Sequence, residues 1–269
     1  MIVDTPSAIF NKITRADYEQ LVNVACKYGD FVSEELYAYY DSGERVLSEL
    51  CDHWERSLNA GTPDFSVYSH PVYVYESFNC WKQYARRYLK LMAHFDAFQF
   101  DKYSVNSVID LGCGCAYSTV ALKSIFPEAT IVGTNLKGSL QYSIDEDVLE
   151  NIPDCYMVDE SQTLALPKVD VVFASEFFEH LPEPVELLRG LVSTYSPKYF
   201  VFANTFTRMS IGHFQTYYDR GVPYTGINIS RYFNHYLRNH GYVKIDTGFF
   251  NSRPQIFKFV GRSKRSALF

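Results

Sequence analysis

The stretch Val108-Ile109-Asp110-Leu111-Gly112-Cys113-Gly114-Cys115-Ala116-Tyr117 is an apolar run with an acid near its end, then two glycines one residue apart, then a helix-like segment. Where a strand feeds a helix, Gly112 and Gly114 let the backbone turn sharply and approach a bulky ligand with no Cβ in the way. A nucleotide-type cofactor is therefore the first expectation, against the plainer alternative of a tight turn with no ligand. The dinucleotide fingerprint G-x-G-x-x-G needs a third glycine for close packing around a pyrophosphate, and Tyr117 stands there, so hydride chemistry is the weaker reading.

The elements that follow come in alternating order. Ser118 to Ile125 reads as a helix ended by Phe126-Pro127, and Ala129 to Gly133 as the next strand, which makes a βαβ unit. Cys155 to Val158 is a third strand candidate. Val169 to Ala174 is apolar enough to be buried on both faces, as a central parallel strand should be. Pro182 and Pro184 break the chain before a helix at Val185 to Val192, and Tyr199 to Ala203 is a further strand. Near the end, a helix is expected from Ser230, a competent N-cap, to His240, with Gly241 as its C′ residue. Val243 to Phe250 and Gln255 to Val260 close the pattern as two strands.

With its acid and G-x-G at the end of the first strand, residues 108–117 resemble motif I of the class I S-adenosylmethionine-dependent methyltransferases. Ser175-Glu176-Phe177-Phe178-Glu179-His180-Leu181 resembles the E-x-x-E-H segment that follows strand four in many small-molecule members of that family. The resemblance covers about residues 105 to 261. It implies an α/β, Rossmann-like fold: a mostly parallel seven-stranded sheet with helices on both faces, binding S-adenosyl-L-methionine.

Carried over position by position, it implies that Asp110, Gly112 and Gly114 hold the cofactor. Leu136 would pack on the adenine. Asn135 stands where the family has an acidic residue for both ribose hydroxyls, and its uncharged amide still accepts one bond and donates another. Asp159, in competition with Glu160, would reach the adenine amino group. Ser175 joins the cofactor set at the end of strand four, and Tyr117 offers a ring face to a sulfonium cation. His180, His213 in Ile211-Gly212-His213-Phe214, and Glu176 are the candidate catalytic side chains, since all would lie at the carboxyl end of the sheet.

The chain has 269 residues, 47% of them hydrophobic, which is ample for a buried core. A methyltransferase-like domain at 101–269 leaves residues 1–100 as an N-terminal helical cap. Within the cap, Val74, Phe78, Trp81, Ala85, Tyr88, Met92 and Phe95 recur at helical spacing, while Glu76, Lys82 and Lys90 fall elsewhere, so one amphipathic helix is expected. Tyr18 to Tyr28 and Phe31 to Leu50 look helical as well. The cap is expected to pack on the sheet domain, with rings such as Tyr73, Tyr75 or Trp81 as candidates to face the substrate.

No run approaches the length of a membrane span and Met1-Ile2-Val3-Asp4 lacks a basic leader, so a cytoplasmic protein is expected. Six cysteines with no C-x-x-C pair point to free thiols and no metal. A net charge of −6 argues against a general nucleic-acid surface, and Gln141 to Glu160 holds seven acids with no Lys or Arg. Arg262, Lys264 and Arg265 read as a solvated tail. Strand four is followed by neither D-P-P-Y nor Pro-Cys, the marks of base-modifying enzymes, which favours a small-molecule acceptor such as a sugar or sugar-nucleotide. Two rival readings remain at this level: a cofactor-binding subunit without turnover, and a nucleic-acid modifier recruited by a partner.

Overall fold

The computed structural model describes residues 14–28, 32–85, 87, 89, 92, 101–246 and 253–261. Phe31, Tyr88, Lys90, Phe95, residues 247–250 of one expected strand, and Arg262, Lys264 and Arg265 lie outside them.

Three helices come first: α1 (Arg15–Ala25), α2 (Ser33–Asn59) and α3 (Val72–Cys80). The sheet domain then runs β1 (Ser107–Leu111), α4 (Tyr117–Ile125), β2 (Thr130–Asn135), α5 (Leu140–Leu149), β3 (Cys155–Asp159), β4 (Val171–Ser175), α6 (Pro184–Tyr195) and β5 (Tyr199–Ala203). It ends with a hairpin of β6 (Thr216–Asp219) and β7 (Val222–Thr225), then α7 (Gly226–Asn239), β8 (Tyr242–Ile245) and β9 (Gln255–Phe259). The seven-stranded sheet has the order β3-β2-β1-β4-β5-β9-β8, with β9 antiparallel to both its neighbours and every other pairing parallel.

The alternation of side chains along each strand divides the core in two. Val108, Ile131, Val171, Phe173 and Val201 face α4, where they meet Val120, Ala121 and Ile125. Ile109, Leu111, Val172, Phe200 and Phe202 face the other way, against Leu188 and Leu191 of α6 and Phe233 and Leu237 of α7. Central strands covered on both faces must be apolar throughout, which is why β4 and β5 read so plainly in the sequence.

Several expectations are corrected. The last helix starts at Gly226, capped by Thr225, whose hydroxyl accepts from Asn228 N at 3.4 Å; Ser230 lies inside it. The single helix expected from Val74 onward starts at Val72 and is interrupted by a π-helical turn, Trp81–Ala85, with Arg87, Leu89 and Met92 α-helical beyond it. The acidic stretch contains helix α5, which the run of charges concealed, and the β6–β7 hairpin has no counterpart among the expected strands. The turn between its two strands is carried by Arg220 at φ 50° and Gly221 at φ 77°.

The helical cap packs through Tyr18, Leu36, Val72, Val74 and Phe78 onto Cys115 and Ile144 of the sheet domain. A second contact joins Trp54 and Val67 to Ile211. The cap therefore lies over the carboxyl ends of the strands, where the glycine turn is.

Candidate active site

The turn after β1 is built as its glycines require. Gly112 has φ 63° and Gly114 φ 66°, both in the left-handed region that a Cβ disfavours. A Cβ on Gly112 would lie 2.5 Å from the Phe177 ring, and one on Gly114 would lie 3.3 Å from Ser77 Oγ of α3. Phe177 and the cap thus close over the turn from two sides.

Asp110 is turned away from this opening. It is buried on the α4 face, and its Oδ2 accepts from Ser118 Oγ at 2.6 Å and Thr119 Oγ1 at 2.8 Å. Burial pushes its carboxyl up to about 7, and the two hydroxyls pull it back only in part. Asp110 therefore fastens α4 to β1 behind the turn. Tyr117 also faces the cap: its ring stacks on Trp81 at 5.7 Å and 13°.

The strand ends β2 and β3 lie side by side, with Asn135 paired in register to Asp159. Asn135 is committed inward, for its Nδ2 donates to Gly114 O at 3.0 Å and to Asp145 Oδ2 at 3.2 Å, while its Oδ1 accepts from Leu136 N. Asp145 is wholly buried, retains an unpartnered Oδ1, and is raised well above the usual carboxylate range by burial. The amide locks the glycine turn to α5. Leu136 beside it is 52% exposed, a large apolar side chain left open at the edge of the cleft. Asp159 is exposed to solvent on one side and accepts from the Ser161 hydroxyl, from Ser161 N at 2.9 Å and from Lys137 N at 3.0 Å, and these bonds, the hydroxyl's foremost, hold its carboxyl below the ordinary value.

Ser175 ends β4, and Glu176 follows at φ 53°, its N–H bonded to Ala203 O at 2.8 Å. The kink turns the carboxylate inward. Its Oε2 accepts from Thr205 Oγ1 at 2.9 Å, and its Oε1 makes no hydrogen bond, with Arg253 Nη1 the paired cation at 3.8 Å. Glu179 is fully buried: Oε1 accepts from Thr205 N at 2.5 Å and Oε2 has no partner. Desolvation, reinforced by Glu176, raises Glu179 well above the usual range.

The two histidines expected from sequence meet, their rings perpendicular with centroids 4.7 Å apart. His213 Nδ1 lies 2.7 Å from Arg208 O; a carbonyl only accepts, so Nδ1 carries the proton and donates. His180 Nδ1 is 2.9 Å from the hydroxyl of Tyr68, which the cap supplies. Burial lowers His180 to about 3 and His213 to about 4, so both rings are neutral near pH 7. Gly212 leaves room for their meeting with Tyr68, since a Cβ there would lie 2.5 Å from His180 Nδ1.

Residues absent from the sequence reading of the site complete it. Glu76 of α3 is raised to about 7 by burial, its Oε2 is unpartnered, and it accepts from Cys80 Sγ at 3.3 Å. The Cys80 thiol is pushed up by burial and then by Glu76, with a smaller contribution from Glu176 and Glu179 of the segment after β4. Asn204, just past β5, has both amide atoms buried and unpartnered. Glu76, Glu176, Glu179 and Asn204 together hold five of the eight orphaned buried side-chain atoms among the described residues. Buried polar groups without partners are costly, and their concentration here marks a place shaped for a ligand. By its spacing Glu76 falls outside the apolar stripe of its helix, so the sequence carries no sign that its Oε2 is buried.

Among the described residues, no cluster of His, Cys, Asp or Glu is arranged to hold a metal ion, and no helix is long and apolar enough to cross a membrane. All six cysteines are free thiols.

No family model matches the chain. Among curated proteins it is similar to trans-aconitate 2-methyltransferase of Escherichia fergusonii, 32% identical over 97 residues, or 35% of this chain and 37% of that one. The Escherichia coli K12 protein of the same name is 31% identical over 97 residues, with the same coverage. The alignment spans little more than a third of the length of these relatives. Among solved structures, an O-methyltransferase family protein from Burkholderia thailandensis superimposes with a TM-score of 0.56 at 12% identity, over 92% of this chain and 73% of that one. The seven-stranded unit of this chain thus shares the fold of that O-methyltransferase family protein, and about a third of the chain is similar in sequence to trans-aconitate 2-methyltransferases.

Proposed function

We propose that the chain transfers a methyl group from S-adenosyl-L-methionine to a small-molecule acceptor, with residues 1–100 as the cap and 101–269 as the catalytic domain. The observation that carries this reading is the set of buried side-chain atoms without a hydrogen-bond partner on Glu76, Glu176, Glu179 and Asn204, gathered under the cap beside a glycine turn in left-handed geometry. The residues fit the cofactor: Gly112 and Gly114 admit close approach, Leu136 offers an apolar edge to a base, and Asp159 stands at the next strand end. Inward-facing carboxylates suit a cation such as a sulfonium.

The cofactor, when bound, supplies a methyl group already activated for displacement. The protein's part is then to position and to exclude water. Phe177, Tyr73 and α3 wall the site, and Asn204 presents one donor and one acceptor to orient a polar acceptor. Glu76, held at about 7 with one oxygen free, is the base that removes a proton from a hydroxyl or ammonium acceptor. Tyr68, His180 and His213, neutral and hydrogen-bonded, fix the loop that closes the acceptor side, and Glu176 tethers that loop through Thr205. A sugar or sugar-nucleotide is one acceptor of the required size and polarity.

Mass spectrometry of small molecules that co-purify with the native chain, together with calorimetric titration of S-adenosylhomocysteine, tests the proposal. Binding is expected, and Gly112→Val should abolish it while the chain stays folded, because the added branches enter the turn. Neither molecule recovered, and neither binding when added, would overturn the reading.

A further inference from the structure

The last 49 residues, 221–269, hold eight Lys and Arg against one acid, Asp246, a net of +7 within a chain of −6, which leaves −13 on the first 220. Such asymmetry is unusual in an acidic protein and points to an anionic partner. The fold gathers part of this charge in one place. Arg231, His235 and Arg238 follow one another at spacings of four and three along α7, and Lys244 reaches them from β8, the outer edge of the sheet three strands beyond β4. With Tyr232 and Asn234 they line a depression of about 590 Å³.

Among the described residues no ion pair joins Arg231, Arg238 or Lys244 to a carboxylate, and Asp219, the nearest acid along the preceding hairpin, is already bound by Arg189 at 2.6 Å. Lys244 is depressed by burial and then by the neighbouring charge of Arg238, with Asp246 offsetting only part. Asn239 Nδ2 donates to His235 Nε2 at 2.8 Å, so His235 keeps its proton on Nδ1 as one more donor. Asn234 gives its Nδ2 to Ser230 O at 2.7 Å and leaves Oδ1 buried without a partner. Meanwhile Ile229, Phe233 and Leu237 anchor the opposite side of α7 in the core, so the basic side is held outward by packing.

We propose that the depression between α7 and β8 is a second binding site, separate from the methyl-transfer centre, for a phosphoryl group. Two guanidinium forks flanking an ammonium offer the bidentate geometry that phosphate oxygens accept and that a single carboxylate fills only in part. The volume suits a small phosphorylated ligand, and the open rim equally admits one phosphate of a polynucleotide strand. The shared chemistry is the phosphoryl group.

The test uses the full chain and three probes: pyrophosphate, a nucleoside diphosphate, and a fluorescent ten-residue single-stranded oligonucleotide, measured by calorimetry and anisotropy at low salt. Saturable binding of at least one probe is expected. Arg231→Gln and Arg238→Gln should each weaken it about tenfold, since hydrogen bonds to charged groups contribute about 1.5–3 kcal/mol. Both positions are solvent-exposed, so an unchanged melting temperature serves as the folding control. Tight pyrophosphate binding that competes with the nucleotide identifies a small phosphorylated ligand. Binding of the oligonucleotide alone, with a log–log salt slope of about −2 for three contacts, identifies a strand backbone. No saturable binding of any probe, or affinity unchanged in the Arg231→Gln/Arg238→Gln/Lys244→Gln variant, would overturn the proposal. S-adenosylhomocysteine titrated in parallel reports separately on the methyl-transfer centre.

Discussion

Replacing Gly212 by alanine should damage this protein in a way that the same change at a second glycine of equal φ does not. Gly212 and Gly221 both sit at φ 77°. At Gly221 a Cβ would meet nothing within 4 Å, so alanine there bears only the left-handed backbone cost, about 1–2 kcal/mol. At Gly212 the Cβ would lie 1.7 Å from the Tyr68 hydroxyl oxygen and 2.5 Å from His180 Nδ1, the two atoms that share a 2.9 Å hydrogen bond. Tyr68 must withdraw, leaving buried groups unpaired at a further cost of about 1–3 kcal/mol. At about 2–4 °C per kcal/mol for a chain of this size, Gly212→Ala should melt roughly 2–12 °C below Gly221→Ala. Parallel thermal denaturation followed by circular dichroism gives the comparison directly. Adding Tyr68→Phe to Gly212→Ala should recover part of the loss, because it deletes the atom in closest conflict. Equal melting temperatures for the two alanine variants would refute the claim that Gly212 exists to admit the Tyr68–His180 contact.

Three further outcomes are expected. Trp54 is fully buried and donates from Nε1 to His213 O at 2.7 Å, so Trp54→Phe strands that carbonyl at a cost of about 1–3 kcal/mol; a variant that melts with the parent would show the cap does not brace the loop. Asp110, raised from 3.8 to about 7, holds its proton in the folded state over a range where the unfolded chain has lost it. Its contribution to stability is therefore full below about pH 4 and lost as pH rises to 7. The melting temperature of Asp110→Asn relative to the parent should climb between those limits and then level off; a difference constant with pH would contradict it. Finally, if Glu76 is the base, the acid limb of the methyl-transfer rate near pH 7 should vanish in Glu76→Gln with a loss of about 10²- to 10⁴-fold, whereas a merely structural Glu76 would leave the shape of the profile intact.

Local rules account for what could be read in the chain and for what could not. The βαβ start, β4 and β5 are legible because a strand buried on both faces has to be apolar along its whole length. The glycine turn is legible because its backbone angles exclude most other residues. Helix α5 was hidden because its apolar positions, Ile144 and Leu149, are diluted by acids that face solvent or, like Asp145, are buried with Asn135. Asp110 and Asn135, which the resemblance marks for the cofactor, also have partners that position alone does not reveal: Asp110 accepts from Ser118 and Thr119, and Asn135 donates to Gly114 and Asp145.

The sequence by itself determined the sheet and the turn that marks the cofactor end of it, because periodicity and backbone freedom act over a few residues. Only the tertiary structure decided which polar side chains face inward together. Tyr68, Glu76, Glu179, His180, Asn204 and His213 lie up to 145 residues apart in the chain, and their meeting depends on how the cap packs over the strand ends. The desolvation that moves Glu76 to about 7 and His180 to about 3 arises from that packing, so it is a property of the assembled fold and of no segment within it.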